Sequence, residues 1–228
     1  MQTIDKNIWV VDGNPVPFFG FPYTTRMTVV RLPEGELWLH SPIQIEDALI
    51  NALSGLGRVA YLIAPNHLHH LFLPEWKTAF PDAKVFGTQE VIKKRTDITF
   101  DGALERDVEW PWVAELDQLM FTGSPAMQEC VFFHHASRTL IVTDLIENFS
   151  GDGFKPWQRL VAKGAGIMAP NGKMPVDWRV SFMFGKAKAR RHLKRMIAWN
   201  PERIIMAHGE IIPESGTKFL KSSFHWLD

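Results

Sequence analysis

Three histidines fall within four positions in Pro65-Asn-His-Leu-His-His70: His67, His69 and His70. Neutral imidazole is a common metal ligand, and a cation relieves the cost of crowding titratable rings. In an extended segment His67 and His69 project to one side while His70 turns away. One ion could take two of the rings, or two neighbouring ions could divide all three. Further ligand types follow downstream, Asp144 after Thr139-Leu-Ile-Val-Thr143 and His208 after Arg203-Ile-Ile-Met-Ala207. They argue against the plain alternative, a surface loop rich in histidine by chance.

These groups need elements to hold them. Val59-Ala-Tyr-Leu-Ile-Ala64 lies between Gly57 and Pro65 and reads as a buried strand. The runs before Asp144 and His208 read likewise, so three apolar strands end in potential ligands. Strands of one sheet place their ends along one edge, where sites in layered α/β proteins tend to lie.

The remaining chain alternates elements. Strands are expected at Ile8–Asp12, Met27–Leu32 and Leu37–His40, as an antiparallel meander. Gly13–Pro17 reads as a break and Phe18–Tyr23 as an irregular aromatic loop near a pocket. Helices follow over Ile45–Leu53, from Pro74 to Phe80 and from Thr88, as N-cap, through Lys94; Lys84–Gly87 is a strand between the last two. Leu119–Phe121 reads as a short strand, and Glu129–Phe133 with Thr139–Thr143 as a β-hairpin. Residues 150–180 show no clean period. Lys186–Trp199 reads as a basic helix. Such alternation argues for an α/β arrangement of layers, with residues 1–228 as a single domain.

The 228 residues are 46% hydrophobic, enough for a substantial core. Lys plus Arg balances Asp plus Glu at 25 each, so no global field favours nucleic acid or a membrane. The single cysteine, Cys130, excludes an intramolecular disulfide framework and fits a reducing compartment. No signal peptide is evident, and no apolar run approaches the roughly 20 residues of a membrane span. A cytoplasmic protein acting on a small molecule is expected.

From the opening strands, the histidine loop, the hairpin ending in Asp144 and the terminal strand with His208, the sequence resembles the metallo-β-lactamase fold superfamily. That group includes glyoxalase II and the ribonuclease Z-type nucleases. More narrowly, the chain looks like a divergent branch described as a domain of unknown function. The resemblance implies a four-layer αβ/βα sandwich, two mixed sheets face to face with helices outside. It implies metal ligands at His67, His69, His70, Asp144 and His208, with Asp144 and His69 at the positions of the catalytic machinery.

The departures from the family pattern matter as much. Aligned on His70, the family's His-x-His-x-Asp-His loop has Pro65 at its first histidine and His69 at its aspartate. The turn that supplies another histidine reads Gly123-Ser-Pro-Ala-Met-Gln128 here. The first metal position is therefore depleted, and one divalent ion is expected, zinc first, with iron or manganese as alternatives. The resemblance implies a metal-dependent hydrolase of a small ester, thioester or lactone. The alternative is a non-catalytic metal- or ligand-binding protein that keeps the fold.

Other groups carry weaker signals. His134 and His135 at the hairpin turn read as exposed histidines, His40 as a structural one, and His192 and His225 as surface residues. Gln128 and Glu129 are substitute ligands for the missing histidine turn. Tyr23 is a proton donor or a pocket wall. The cations of the 186–199 helix read as a solvated face.

Overall fold

The computed structural model describes residues 1–228, which divide into two units: residues 1–14 with 25–116, and residues 15–24 with 117–228. The strands form two sheets, one of seven and one of four. The seven-stranded sheet runs in chain order from β1 (Gln2–Asp5), β2 (Ile8–Phe18), β3 (Phe21–Arg31) and β4 (Glu36–His40) to β5 (Arg58–Ala64), β6 (Lys84–Gly87) and β7 (Gly102–Ala103). The pairs β1–β2 and β3–β4 are antiparallel, whereas β4 to β7 pair parallel. Helices α1 (Asp47–Ser54), α2 (Leu73–Ala79) and α3 (Gln89–Lys94) lie in the crossovers. In the first unit Leu37, Leu39, Leu62 and Val85 pack with Leu53, Trp76 and Val91 of the three helices. Trp76 is wholly buried and donates its indole N–H to the Ile43 carbonyl at 2.6 Å.

The expected break at Gly13–Pro17 does not occur, nor does the loop at Phe18–Tyr23. β2 continues to Phe18 and β3 resumes at Phe21, with Phe19 and Gly20 as a two-residue turn at φ 46° and 78°. Both values are left-handed, as in a hairpin turn whose twist matches its strands. Two prolines are tolerated in β2 for a simple reason. Strand β1 pairs with β2 only as far as Val10, so Pro15 and Pro17 interrupt no ladder on that side.

The second sheet has the order β11 (Arg203–Ile205), β10 (Thr139–Ile141), β9 (Glu129–His134) and β8 (Leu116–Phe121). β9 and β10 form the expected antiparallel hairpin, and β10 pairs parallel with β11. The core of the second unit joins Phe121, Val131, Leu140 and Ile204 to Phe182, Met196 and Leu220. Its helices are α4 (Pro156–Ala165), α5 (Val176–Ser181), α6 (Lys186–Ala198) and α7 (Gly216–Ser223).

Helices α4 and α5 fall in the stretch without a clean period, yet α4 carries ordinary signals at both ends. Pro156 opens its first turn, and the Gln158 side chain accepts the Lys155 N–H at 2.6 Å. Gly166 closes it at φ 80°, where the Ile167 N–H reaches back to the Ala162 carbonyl. Thr88 stands at the start of α3 as expected but makes no capping bond. The Glu105 carboxylate takes the Gln89 N–H instead, at 2.8 Å.

Two histidine expectations also change. His134 is fully buried and bonds the Ser137 hydroxyl at 2.7 Å, whereas His135 is half exposed. His192 is partly buried on α6 beside the Thr122 backbone, its Nδ1 3.1 Å from that N–H. The cations of α6 are not simply a solvated face, because Lys186 and Arg190 donate to the Trp226 and Leu227 carbonyls.

His40 is a structural histidine, 1% exposed and stacked on Trp38. Burial first, then the charge of His69, lowers its pKa to about 3. Its neutral form is therefore the folded one, and its contribution to stability is complete above the unfolded value of about 6.5. Below that pH the contribution is lost, at up to about 1.4 kcal/mol per pH unit, until the folded pKa is reached. Urea unfolding at pH 7, 5 and 4 should show a shallower loss for His40→Phe than for the parent. Parallel losses would show that His40 is not the group titrating.

Candidate metal centre

In the first unit, β5 ends at Ala64 and the histidines follow in a turn held by Asn66. The Asn66 side-chain oxygen accepts the N–H groups of Leu68 and His69, at 2.8 and 3.2 Å. This turn sends the three rings to three different partners. His67 sets Nδ1 3.2 Å from a Glu90 carboxylate oxygen on α3, and its carbonyl accepts from Lys94.

His70 faces Arg95, whose guanidinium donates to both its Nδ1 and its carbonyl, each at 3.0 Å. Arginine can only donate, so Nδ1 is the acceptor and the proton of the neutral ring sits on Nε2. Burial, then Lys94 and Arg95, lowers the His70 pKa to about 4. In this arrangement neither nitrogen of His70 offers a lone pair to an ion.

His69 differs. Its Nδ1 lies 2.5 Å from the Ser41 hydroxyl, which can accept the Nδ1 proton and leave Nε2 as the ligand atom. Ser41 itself is fixed by its N–H to the Ile63 carbonyl at 2.9 Å.

In the second unit, β10 and β11 pair Ile141 with Ile205. Asp144 and His208 each stand three residues beyond that pair, so the register brings them together. The His208 Nε2 is 2.9 Å from Asp144 Oδ1, and both side chains are buried. The His208 Nδ1 lies 2.6 Å from the Thr24 carbonyl, an acceptor only, and therefore carries a proton. Gly209 follows at φ 93°, where a side chain would meet the Asn148 carbonyl at 2.1 Å, so the turn after His208 requires glycine.

Glu129 underpins this edge. It is fully buried and accepts the N–H groups of Thr143, Asp144 and Leu145 at 2.7, 2.8 and 3.1 Å. Its oxygens are spent on the backbone that carries Asp144, which makes it a positioning residue. Burial, then the Asp144 charge, raises its pKa. The Gly123–Gln128 turn is closed on itself, with the Ser124 hydroxyl accepting from Ala126 and Met127.

Glu147 is a buried carboxyl near this pair that the sequence alone does not single out. It is buried, and burial raises its pKa to about 8, with the opposing charge of His208 only partly offsetting this. The Tyr23 hydroxyl donates to it at 3.4 Å, and the Tyr23 ring meets the His208 ring edge-on at 5.0 Å. Burial and the charges of Glu147 and Asp144 push the Tyr23 phenol upward, so it stays a donor. The signal for Glu147 was its place three residues after Asp144, but periodicity does not mark a buried carboxyl.

The unprotonated His208 Nε2 and the Asp144 carboxylate would set two acceptors face to face at 2.9 Å. A proton or a cation resolves that conflict. Although burial lowers the His208 pKa, the Asp144 hydrogen bond and charge outweigh it and the net shift is upward. A ring held at Nδ1 by a backbone carbonyl, with Nε2 beside a carboxylate, is also the usual posture of a metal-binding histidine. The residues present fit a divalent ion.

A family model described as "Domain of unknown function (DUF4336)" matches residues 6–155, about two-thirds of the chain. The chain belongs to that family. No curated protein matches it in sequence. Among solved structures, a metallo-β-lactamase from Pontibacter korlensis is similar at 10% identity and a TM-score of 0.64, over 99% of this chain and 97% of that one. A metallo-β-lactamase from Hirschia baltica gives 13% identity and 0.63, over 99% and 95%. The rubredoxin oxygen:oxidoreductase of Desulfovibrio gigas gives 15% and 0.70, over 99% of this chain and 61% of that one. The fold of this DUF4336 chain is the αβ/βα sandwich of metallo-β-lactamase type, two mixed sheets with seven helices. No helix is long and apolar enough to cross a membrane.

Proposed function

We propose that this chain is a metal-dependent hydrolase of a small ester, thioester or lactone. Its one divalent ion would be held by His69, Asp144 and His208. The observation that carries the reading is the His208 ring, which donates its Nδ1–H to the Thr24 carbonyl and turns Nε2 to a buried carboxylate. His69 repeats the posture through Ser41. Two imidazoles and one carboxylate make three protein ligands, the number of a catalytic zinc site with an open position. Zinc suits this set, and iron or manganese would also accept it.

The bound ion would supply Lewis-acid polarisation of a carbonyl and activation of water. The chain's own residues supply the rest. Ser41 and the Thr24 carbonyl orient the two rings, and Glu129 fixes the backbone of Asp144. Glu147, raised to about 8 by burial in the ion-free chain, and the Tyr23 hydroxyl that donates to it would be the proton-handling groups beside His208, the ion's own charge drawing the carboxyl back toward ionisation. The fold alone does not choose the reaction.

Of the other two histidines assigned as ligands from sequence, His67 sets its ring beside the Glu90 carboxylate and His70 bonds Arg95, both in the first unit. With Pro65 and a histidine-free turn at 123–128, they leave no set of three for a second ion. Elemental analysis after mild dialysis should therefore find one ion per chain, and ester, thioester and lactone substrates should be turned over in its presence. A content near two, or near zero with the chain fully folded, would sink the proposal. The latter result would favour the non-catalytic binding protein.

A further inference from the structure

Helix α4 is amphipathic in an unusual sense. Gln158 and Ala162 face the core of the second unit, where Ala162 packs with Phe149, Phe154 and Ile167. Trp157, Leu160 and Val161, at i, i+3 and i+4, lie on another face and are 52%, 74% and 52% exposed. Between the two faces runs a row of cations at i, i+4 and i+8: Lys155, Arg159 and Lys163. From Gly153 to Val176 the chain contains no Asp or Glu, and Lys173 adds a fourth cation.

The β2–β3 hairpin tip extends this apolar face within the same unit. Gln158 donates to the Gly20 carbonyl at 2.7 Å, and the Phe21 and Trp157 rings meet edge-on at 5.5 Å. Phe19, at the tip of the turn, is 87% exposed. Beside the helix is a cleft of about 430 Å³ whose lining includes Arg159, Lys163, Asn171 and Lys173. Such a cleft could hold an anionic headgroup.

We propose that this face docks on an anionic lipid bilayer, with Phe19, Trp157 and Leu160 entering the interface and the cation row meeting the headgroups. Apolar rings and aliphatic side chains beside a row of Lys and Arg, on a short helix, are the features of an interfacial element rather than of a span. A second copy of the chain is a poorer occupant. A two-fold contact on this face would set the cation row against its own copy, with no carboxylate between them. The nearest carboxylates in the chain are Asp152 before this stretch and Asp177 after it.

The test is co-sedimentation with vesicles of phosphatidylcholine alone and of phosphatidylcholine mixed with phosphatidylglycerol. Parent protein should pellet with the mixed vesicles at low salt, weakly with the neutral ones, and less as salt rises. Leu160→Asp, and separately Arg159→Glu with Lys163→Glu, should each cut the bound fraction roughly tenfold or more. All three side chains are exposed, and circular dichroism checks that the fold is kept. Absence of binding to mixed vesicles would overturn the proposal, as would Leu160→Asp binding like the parent. So would a chain that ignores vesicles but forms a dimer which Leu160→Asp dissolves, or one that instead binds an acidic protein through the same cations. Metal-stripped protein serves equally well, so this result and that of the metal analysis stand or fall separately.

Discussion

A Glu129→Leu variant is expected to unfold with about 3–5 kcal/mol less free energy than the parent. The reason is the number of groups left behind. Three backbone N–H groups, of Thr143, Asp144 and Leu145, end on one buried carboxylate, and leucine accepts none of them. An orphaned buried donor costs about 1–3 kcal/mol, and some local relaxation keeps the total below the plain sum. The gain from leucine's apolar surface is small, because the site is already closed to water. Glu129→Gln keeps one oxygen and should lose only part of this stability. Urea unfolding of the two variants and the parent is the measurement. A Glu129→Leu protein within about 1 kcal/mol of the parent would show that those amides find other partners, a smaller cost than a single orphaned donor usually exacts at its upper range.

The same residue shows where sequence reading stops. Glu129 was legible as an oxygen ligand at a strand start, whereas its use as a clamp depends on the β9–β10 register, which apolar pattern alone does not fix. Asp144 and His208 were legible because both follow short apolar strands, and parallel pairing at Ile141 and Ile205 turns equal offsets into a short distance. The alternation of β4 through β6 with helices was legible for the same reason, since buried parallel strands read as unbroken apolar runs, whereas the two residues of β7 carry no such run. The β2–β3 hairpin was not. Pro15 and Pro17 look like breakers until it is known that their outer edge has no partner strand. Helix α4 was hidden because its exposed face is apolar, which erases the period that a solvated helix displays.

Within the histidine loop the expected results divide sharply. His69→Gln should lose its bound ion on mild dialysis, with affinity falling further than the roughly 10- to 100-fold typical of removing an outer partner of a ligand. His70→Gln, folded and handled in the same way, should keep the ion. Sequence alone made the two rings equivalent, and alignment on the family loop even favoured His70, the residue aligned with a histidine ligand. The structure separates them by what each Nδ1 meets. Arg95 can only donate, so it forces the His70 proton onto Nε2. Ser41 can accept, so it lets His69 keep its proton on Nδ1 and offer Nε2. Arg95→Leu removes the constraint on His70 without touching His69, and should leave ion content at one per chain. Elemental analysis of the three variants decides the matter. Loss of the ion from His70→Gln with retention in His69→Gln would reverse the assignment of the ligand, and with it the reading that the partner of each ring selects which histidine binds.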